Sequence, residues 1–152
     1  MLGIGKGVLD TLSEKVEEQQ LSDLNTYRRQ LGDVEDEITT VSRELEELYY
    51  IETVYANART NYLDLHDIRV GKLVSLEGMA DKSNSAKTYS VGLRNRLCGI
   101  STKQKIDEFL NVGSVIKANI KERVDKLDAL KKKQSYLDGQ VYMLNISING
   151  LI

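Results

Sequence analysis

The chain contains no proline and no tryptophan, and it has one cysteine, one histidine and one phenylalanine in 152 residues. Each shortage excludes something. A disulfide framework needs a second thiol beside Cys98. A zinc centre of the usual Cys/His kind lacks its ligands. No apolar run approaches the 18 or so residues that a membrane-spanning helix requires. Charge of one sign is also missing. The 21 basic residues nearly balance the 23 acidic ones, for a net charge of −2. A chain built chiefly to grip nucleic acid is therefore not expected. The length fits one domain.

What the chain has in quantity is helical periodicity uninterrupted by proline. Leu24, Tyr27, Leu31, Val34, Ile38, Val41, Leu45 and Leu48 are spaced alternately three and four residues apart. That is a heptad seam. Glu52 breaks it, and Tyr55, Ala58, Tyr62 and Leu65 are read as its resumption. Gly32, beside the seam, costs about 1 kcal/mol relative to alanine. A long helix is expected from Ser13 or Ser22 to about Asp67. At 1.5 Å per residue such a helix reaches roughly 70 Å, so an elongated molecule is expected.

The second half repeats the pattern. Phe109, Val112, Ile116, Ile120, Val124, Leu127, Leu130, Leu137, Val141, Leu144, Ile148 and Leu151 keep near-heptad spacing, with Gln134 at one seam position. Ser101 reads as an N-cap, and Asn149-Gly150 as a stop. A second long helix is expected over 102–148. Between the two, residues 68–101 carry Gly71, Gly78, Gly92 and Gly99 and the polar run Asp81-Lys82-Ser83-Asn84-Ser85. Val70, Leu73, Val74 and Leu76 suggest one short helix there. Tyr89, Leu93, Leu97 and Ile100 suggest another. A bend of the first helix near Gly71 is the alternative. The expected fold is all-α: residues 1–152 form a single antiparallel two-helix hairpin, a coiled coil, with a short helical insert at its tip. Charge favours the pairing. Residues 10–52 hold 13 acidic and 4 basic residues, and residues 103–133 hold 9 basic and 5 acidic ones. Lys131, Lys132 and Lys133 read as a solvated face rather than a nucleic-acid patch.

At the N-terminus, Gly3-Ile4-Gly5-Lys6-Gly7 lacks the spacing and the Ser/Thr of a phosphate loop. Leu2 excludes myristoylation, and no cleaved export signal is expected. Ile4, Val8, Leu12 and Val16, with Leu9, form an amphipathic stripe. Asp10, Glu14, Glu17 and Glu18 beside it disfavour an anionic lipid surface, so membrane association is not expected.

Catalytic and metal chemistry find little footing. His66 stands beside Asp64 and Asp67, but Arg69 and Val70 fill the i+3 and i+4 positions a metal site would use. The Glu-x-x-His repeat of di-iron bundles is absent. Cys98 has no nucleophile signature around it and reads as a buried structural thiol. Asn145-Ile146-Ser147 is a chance sequon. No cofactor and no enzymatic activity are expected. Apolar residues, however, exceed what one seam can bury. Tyr49, Tyr50, Ile51 and Val54 crowd the Glu52 region, and Ile106, Leu110, Val115 and Tyr136 lie off the second seam. Eight of nine aromatics are tyrosine, which suits an interface where the ring is buried and the hydroxyl stays wet. A helix with two apolar faces needs two neighbours. The expected partner-binding residues are Tyr49, Tyr50, Val54, Leu97, Gly99, Ile106, Leu110, Val115 and Tyr136.

Leu97-Cys98-Gly99, followed by Ile106, Phe109 and Leu110, resembles the Trp-x-Gly turn of the helical-hairpin proteins of type VII secretion systems in Firmicutes. That group comprises the WXG-type proteins and the accessory proteins of LXG-domain toxins. Leu76-Glu77-Gly78 is a second match to the turn. Leucine replaces the tryptophan in both, and no tyrosine is followed four residues later by Asp or Glu, the export signal of that family. The resemblance implies a cytoplasmic targeting factor, or one exported without a cleaved leader, that binds the helical N-terminal domain of a toxin or a second small helical protein. Another subunit would supply the export signal. A structural coiled coil, such as a phage component or a self-associating spacer, is the alternative.

Overall fold

A computed structural model describes residues 2–79 and 82–150, and side chains from residue 7 onward within them. The expectations for the side chains of Ile4 and Lys6, and for Asp81 and Leu151, lie outside the described residues. The chain is all-α and forms a helical hairpin. Helix α1 spans Leu2–Met79, α2 spans Asn84–Cys98 and α3 spans Ile100–Gly150. The return arm is thus a single helical path broken once, between α2 and α3.

Several boundaries differ from the sequence reading. Helix α1 runs unbroken past Ser13 and Ser22, and past Asp67 and Gly71 to Met79. Nothing in the sequence stops it, because neither serine is followed by a proline or preceded by a glycine stop. A serine inside a favourable helical run simply continues it. Val70, Leu73, Val74 and Leu76 therefore belong to α1, not to a separate helix. The polar run ends in a true cap: Ser83 is extended (φ −158°, ψ 133°) and its Oγ accepts the Ala86 N–H at 3.4 Å. Ser101 is not a cap, since α3 already begins at Ile100.

The break falls at Gly99, whose backbone is extended (φ −70°, ψ 167°) while its N–H still donates to the Asn95 carbonyl at 3.1 Å. A Cβ built at Gly99 would overlap that carbonyl oxygen. This close approach, rather than a left-handed conformation, is what calls for glycine. Thr102 Oγ1 donates to the Arg96 carbonyl across the break. Cys98, expected to be buried, is exposed. A helix terminus beside a bend has no second layer to cover it.

The chain divides into two compact units, residues 1–44 with 123–152, and residues 45–122. In the first, Val34, Val41, Leu130 and Leu137 form the buried core, with Tyr27, Leu31, Ile38 and Leu127 packed against it. Leu24 is also buried. Polar contacts run beside this seam. Arg123 Nε donates to Glu44 Oε2 at 2.6 Å, and Gln20 Nε2 donates to Ser147 Oγ at 2.8 Å. Glu44–Arg123 joins the acidic α1 to the basic α3, in the sense that their opposite charge predicts.

In the second unit the inner seam is interrupted and then resumes. Glu52 and Tyr55 are half-buried, but Ala58 is exposed and burial passes to Leu63, His66 and Val70, with Leu73 fully covered. Leu63, His66, Val70, Leu73 and Glu77 are again spaced alternately three and four residues apart, and His66 and Leu73 keep the heptad phase of Leu24, Leu45 and Glu52. Tyr62 and Leu65, read as seam residues, remain substantially exposed. On α3 no such interruption occurs: Ile106, Phe109, Gly113, Ile116 and Ile120 are covered at the same alternate spacing that Leu127, Leu130 and Leu137 continue, and Val112, read as a seam residue, is exposed. In α2, Leu93 and Leu97 are half-buried, Tyr89 is exposed, and Ser90 is the buried residue, its hydroxyl donating to the Lys87 carbonyl at 2.9 Å.

Candidate functional site

Three surfaces could carry function. The first is an aromatic junction in the second unit. Tyr55 and Tyr62 project from α1 one heptad apart, so both rings reach Phe109 of α3, with centroids at 5.3 and 5.4 Å and tilted planes. The Tyr55 hydroxyl donates to the Phe109 carbonyl at 2.8 Å and leans toward the Leu110 carbonyl at 3.2 Å. A Cβ at Gly113 would come within 2.7 Å of the Tyr55 ring. Glycine inside α3 costs about 1 kcal/mol of helix propensity, and here it makes room for that ring.

An open groove of about 690 Å³ runs beside the junction, lined in part by Glu52, Arg59, Leu63, Asp64 and Lys117. Its charges alternate and it contains no thiol or histidine. A smaller hollow borders His66, Arg69 and Arg96. Among the described residues no group of three or more His, Cys, Asp or Glu could hold a metal ion. Nearby, Arg94 donates to Glu77 at 2.7 Å, and this hydrogen bond, with the carboxylate's charge, raises the guanidinium pKa above its ordinary value.

The second surface is the start of α1. Stepping back from Leu24 by alternate fours and threes reaches Gln20, Glu17, Ser13 and Asp10, all polar. The apolar part of the seam therefore ends near Leu24, and the half-buried Gln20 meets α3 through its hydrogen bond to Ser147. Val8, Leu12 and Val16, with Leu9, lie on a different line around the helix, and all four are exposed. They are not a continuation of the hairpin core. Among the described helices, none is long and apolar enough to cross a membrane.

The third surface is the outward side of α1 in the second unit. Tyr50, Ile51, Val54, Leu65 and Ile68 are all exposed there. The expected partner-binding residues distribute unevenly over these places. Tyr49, Tyr50, Val54, Val115 and Tyr136 are exposed, whereas Leu97, Gly99, Ile106 and Leu110 are half-buried within the helix pairing. Sequence reasoning missed Leu65 and Ile68 as surface residues. The signal was present in the spacing Ile51, Val54, Ala58, Asn61, Leu65, Ile68, but Ala58 and Leu65 had been assigned to the inner seam. No protein family, curated protein or solved structure matches the chain.

Proposed function

We propose that the chain is a helical adaptor that docks a larger helical protein, and that it has no catalytic role of its own. The observation that carries this reading is the exposed line of Val8, Leu9, Leu12 and Val16 on a helical segment whose hairpin-facing positions are polar. An apolar stripe of this kind, offset from its own core, wants a neighbour from another chain. Asp10, Glu14, Glu17 and Glu18 flank it, so the matching helix is amphipathic with lysine or arginine beside its apolar face. The resemblance to type VII secretion hairpins makes the helical N-terminal domain of an LXG-type toxin the particular candidate, and targeting to a secretion machine the role.

The test is a titration of such a domain, taken from the gene's own neighbourhood, against the wild-type chain and the Leu12→Asp/Val16→Asp variant. Both positions are exposed, so the variant keeps its helical circular dichroism and its melting profile. Binding should weaken at least about tenfold, as two buried apolar contacts are lost. Undiminished binding by the variant would refute the assignment of this segment.

A further inference from the structure

We propose that two copies of this chain pair antiparallel along the outward side of α1, between Glu47 and Lys72, on a surface separate from the Val8–Val16 stripe. Ile51, Val54, Ala58, Asn61, Leu65 and Ile68 recur at three- and four-residue spacing, a second heptad seam on α1. It points away from the hairpin core. Ile51 is 47% exposed, Val54 49%, Leu65 46% and Ile68 55%, and Ala58 and Asn61 are exposed as well. The inner seam passes from Tyr55 to Leu63, His66 and Val70, so Ala58 and Leu65 stand outside it and join Ile51, Val54 and Ile68 in one line.

The order of residues says what covers that line. If a second copy lies antiparallel, Ile51 faces Ile68, Val54 faces Leu65 and Ala58 faces Asn61, each pair occurring twice. The next position outward at one end is Glu47 and at the other is Lys72. Antiparallel pairing therefore closes both ends of the seam with opposite charges, and a parallel arrangement would set Glu47 against Glu47 and Lys72 against Lys72. The flanks agree. Tyr50, which is 72% exposed, would lie beside Gly71 of the second copy, where a Cβ meets open space, and Asn57 would lie beside Asp64. Small alanine opposite Asn61 leaves room for a polar residue at the centre of the seam, a device that fixes register and strand number in coiled coils. A surface that matches itself in one register is the mark of an isologous contact. Both helices are already formed, so little ordering opposes association.

Sedimentation of the full chain should show a dimer with a dissociation constant in the range of about 1–50 µM. Glu47→Lys alone and Lys72→Glu alone each place like charges at both ends, and each should weaken the dimer at least about tenfold. Glu47→Lys/Lys72→Glu together should restore it. Orientation is read by cross-linking in a Cys98→Ser background. An equimolar mixture of Ile51→Cys and Ile68→Cys chains should form a disulfide-linked heterodimer. Ile51→Cys by itself should not, because its two thiols would sit roughly 25 Å apart, seventeen residues at 1.5 Å each. A monomer at concentrations well above about 50 µM would overturn the proposal and leave the face to another chain. Self-cross-linking of Ile51→Cys would overturn it in favour of parallel pairing. All variants lie at exposed positions, and circular dichroism confirms that the hairpin is intact. The full-length Leu12→Asp/Val16→Asp variant should dimerise as the wild type does if the two surfaces are independent, so failure of the adaptor reading and failure of self-pairing are told apart.

Discussion

The two compact units are built from the same helices by different rules. In the unit comprising residues 1–44 and 123–152, the inner positions from Leu24 to Val41 and from Leu127 to Ile148 are mostly aliphatic at heptad spacing, and those positions are buried or half-buried. In residues 45–122 the inner line includes Glu52, Tyr55, His66 and Glu77, is set partly by an aromatic junction, and leaves apolar residues on the outside. The contrast teaches that apolar spacing marks the contact face only while the inner positions stay apolar. Where a charged residue and a large ring occupy the seam, a neighbouring line of apolar residues at the same spacing lies on another, exposed face of the helix.

The largest effect should come from breaking the regular unit. Val41 is 2% exposed in the core cluster, and Val41→Asp would bury a carboxylate with no partner. The expected loss is about 3–5 kcal/mol, read by urea denaturation followed by circular dichroism. Leu65→Asp, a substitution of the same kind at a position the plain heptad reading would also have buried, should cost the isolated hairpin under about 0.5 kcal/mol. It should be measured at protein concentrations low enough to exclude self-association. Comparable losses for the two would show that Leu65 is a core residue after all.

That pairing of substitutions also marks how far the sequence could be read. The all-α hairpin, the seam from Leu24 to Leu48 and its partner positions from Ile116 to Ile148 were legible, because each depends only on local spacing and an apolar side chain. The loop at Lys82–Ser83 was legible from its polar residues. The length of α1 was not, because no residue stops a helix at Asp67 or Gly71 and tertiary packing on Leu73 carries it on. The course of the seam past Tyr55 was not, because Ala58, Tyr62 and Leu65 have suitable spacing and only the packing shows that Leu63, His66 and Val70 are the covered residues. Leu97, Gly99, Ile106 and Leu110, expected to bind a partner, are half-buried, which their spacing alone did not show. Tyr50, Val54 and Val115 read correctly as exposed apolar positions, since nothing at helical spacing claimed them.

The aromatic junction should respond at an intermediate level. Gly113→Val drives a branched side chain into the Tyr55 ring, which two α3 carbonyls hold in place. Overpacking of this kind costs about 1–3 kcal/mol. Gly113→Ala gains back up to about 1 kcal/mol of helix propensity and should be the milder change. Tyr55→Phe keeps the ring and removes only the hydrogen bond, for about 1 kcal/mol. The three losses, compared in thermal melts, should follow that order, and a stabilising Gly113→Val would show that the ring is not fixed where the contacts place it.

The smallest effect separates two neighbours on α3 that spacing alone treats as equals. Val112 and Ile116 lie four residues apart in the same near-heptad series, yet Val112 is 45% exposed and Ile116 7%. Ile116→Ala should cost about 2–4 kcal/mol, since it leaves a cavity against α1. Val112→Ala removes little buried surface and replaces a β-branched residue with the best helix former. Its net effect on the hairpin should fall within about 0.5 kcal/mol of zero, on either side. Matched losses at the two positions would make Val112 a contact residue. A near-zero change at Val112 beside a large one at Ile116 would keep the contact face of α3 on the heptad line through Ile106, Phe109, Gly113, Ile116 and Ile120, with Val112 outside it.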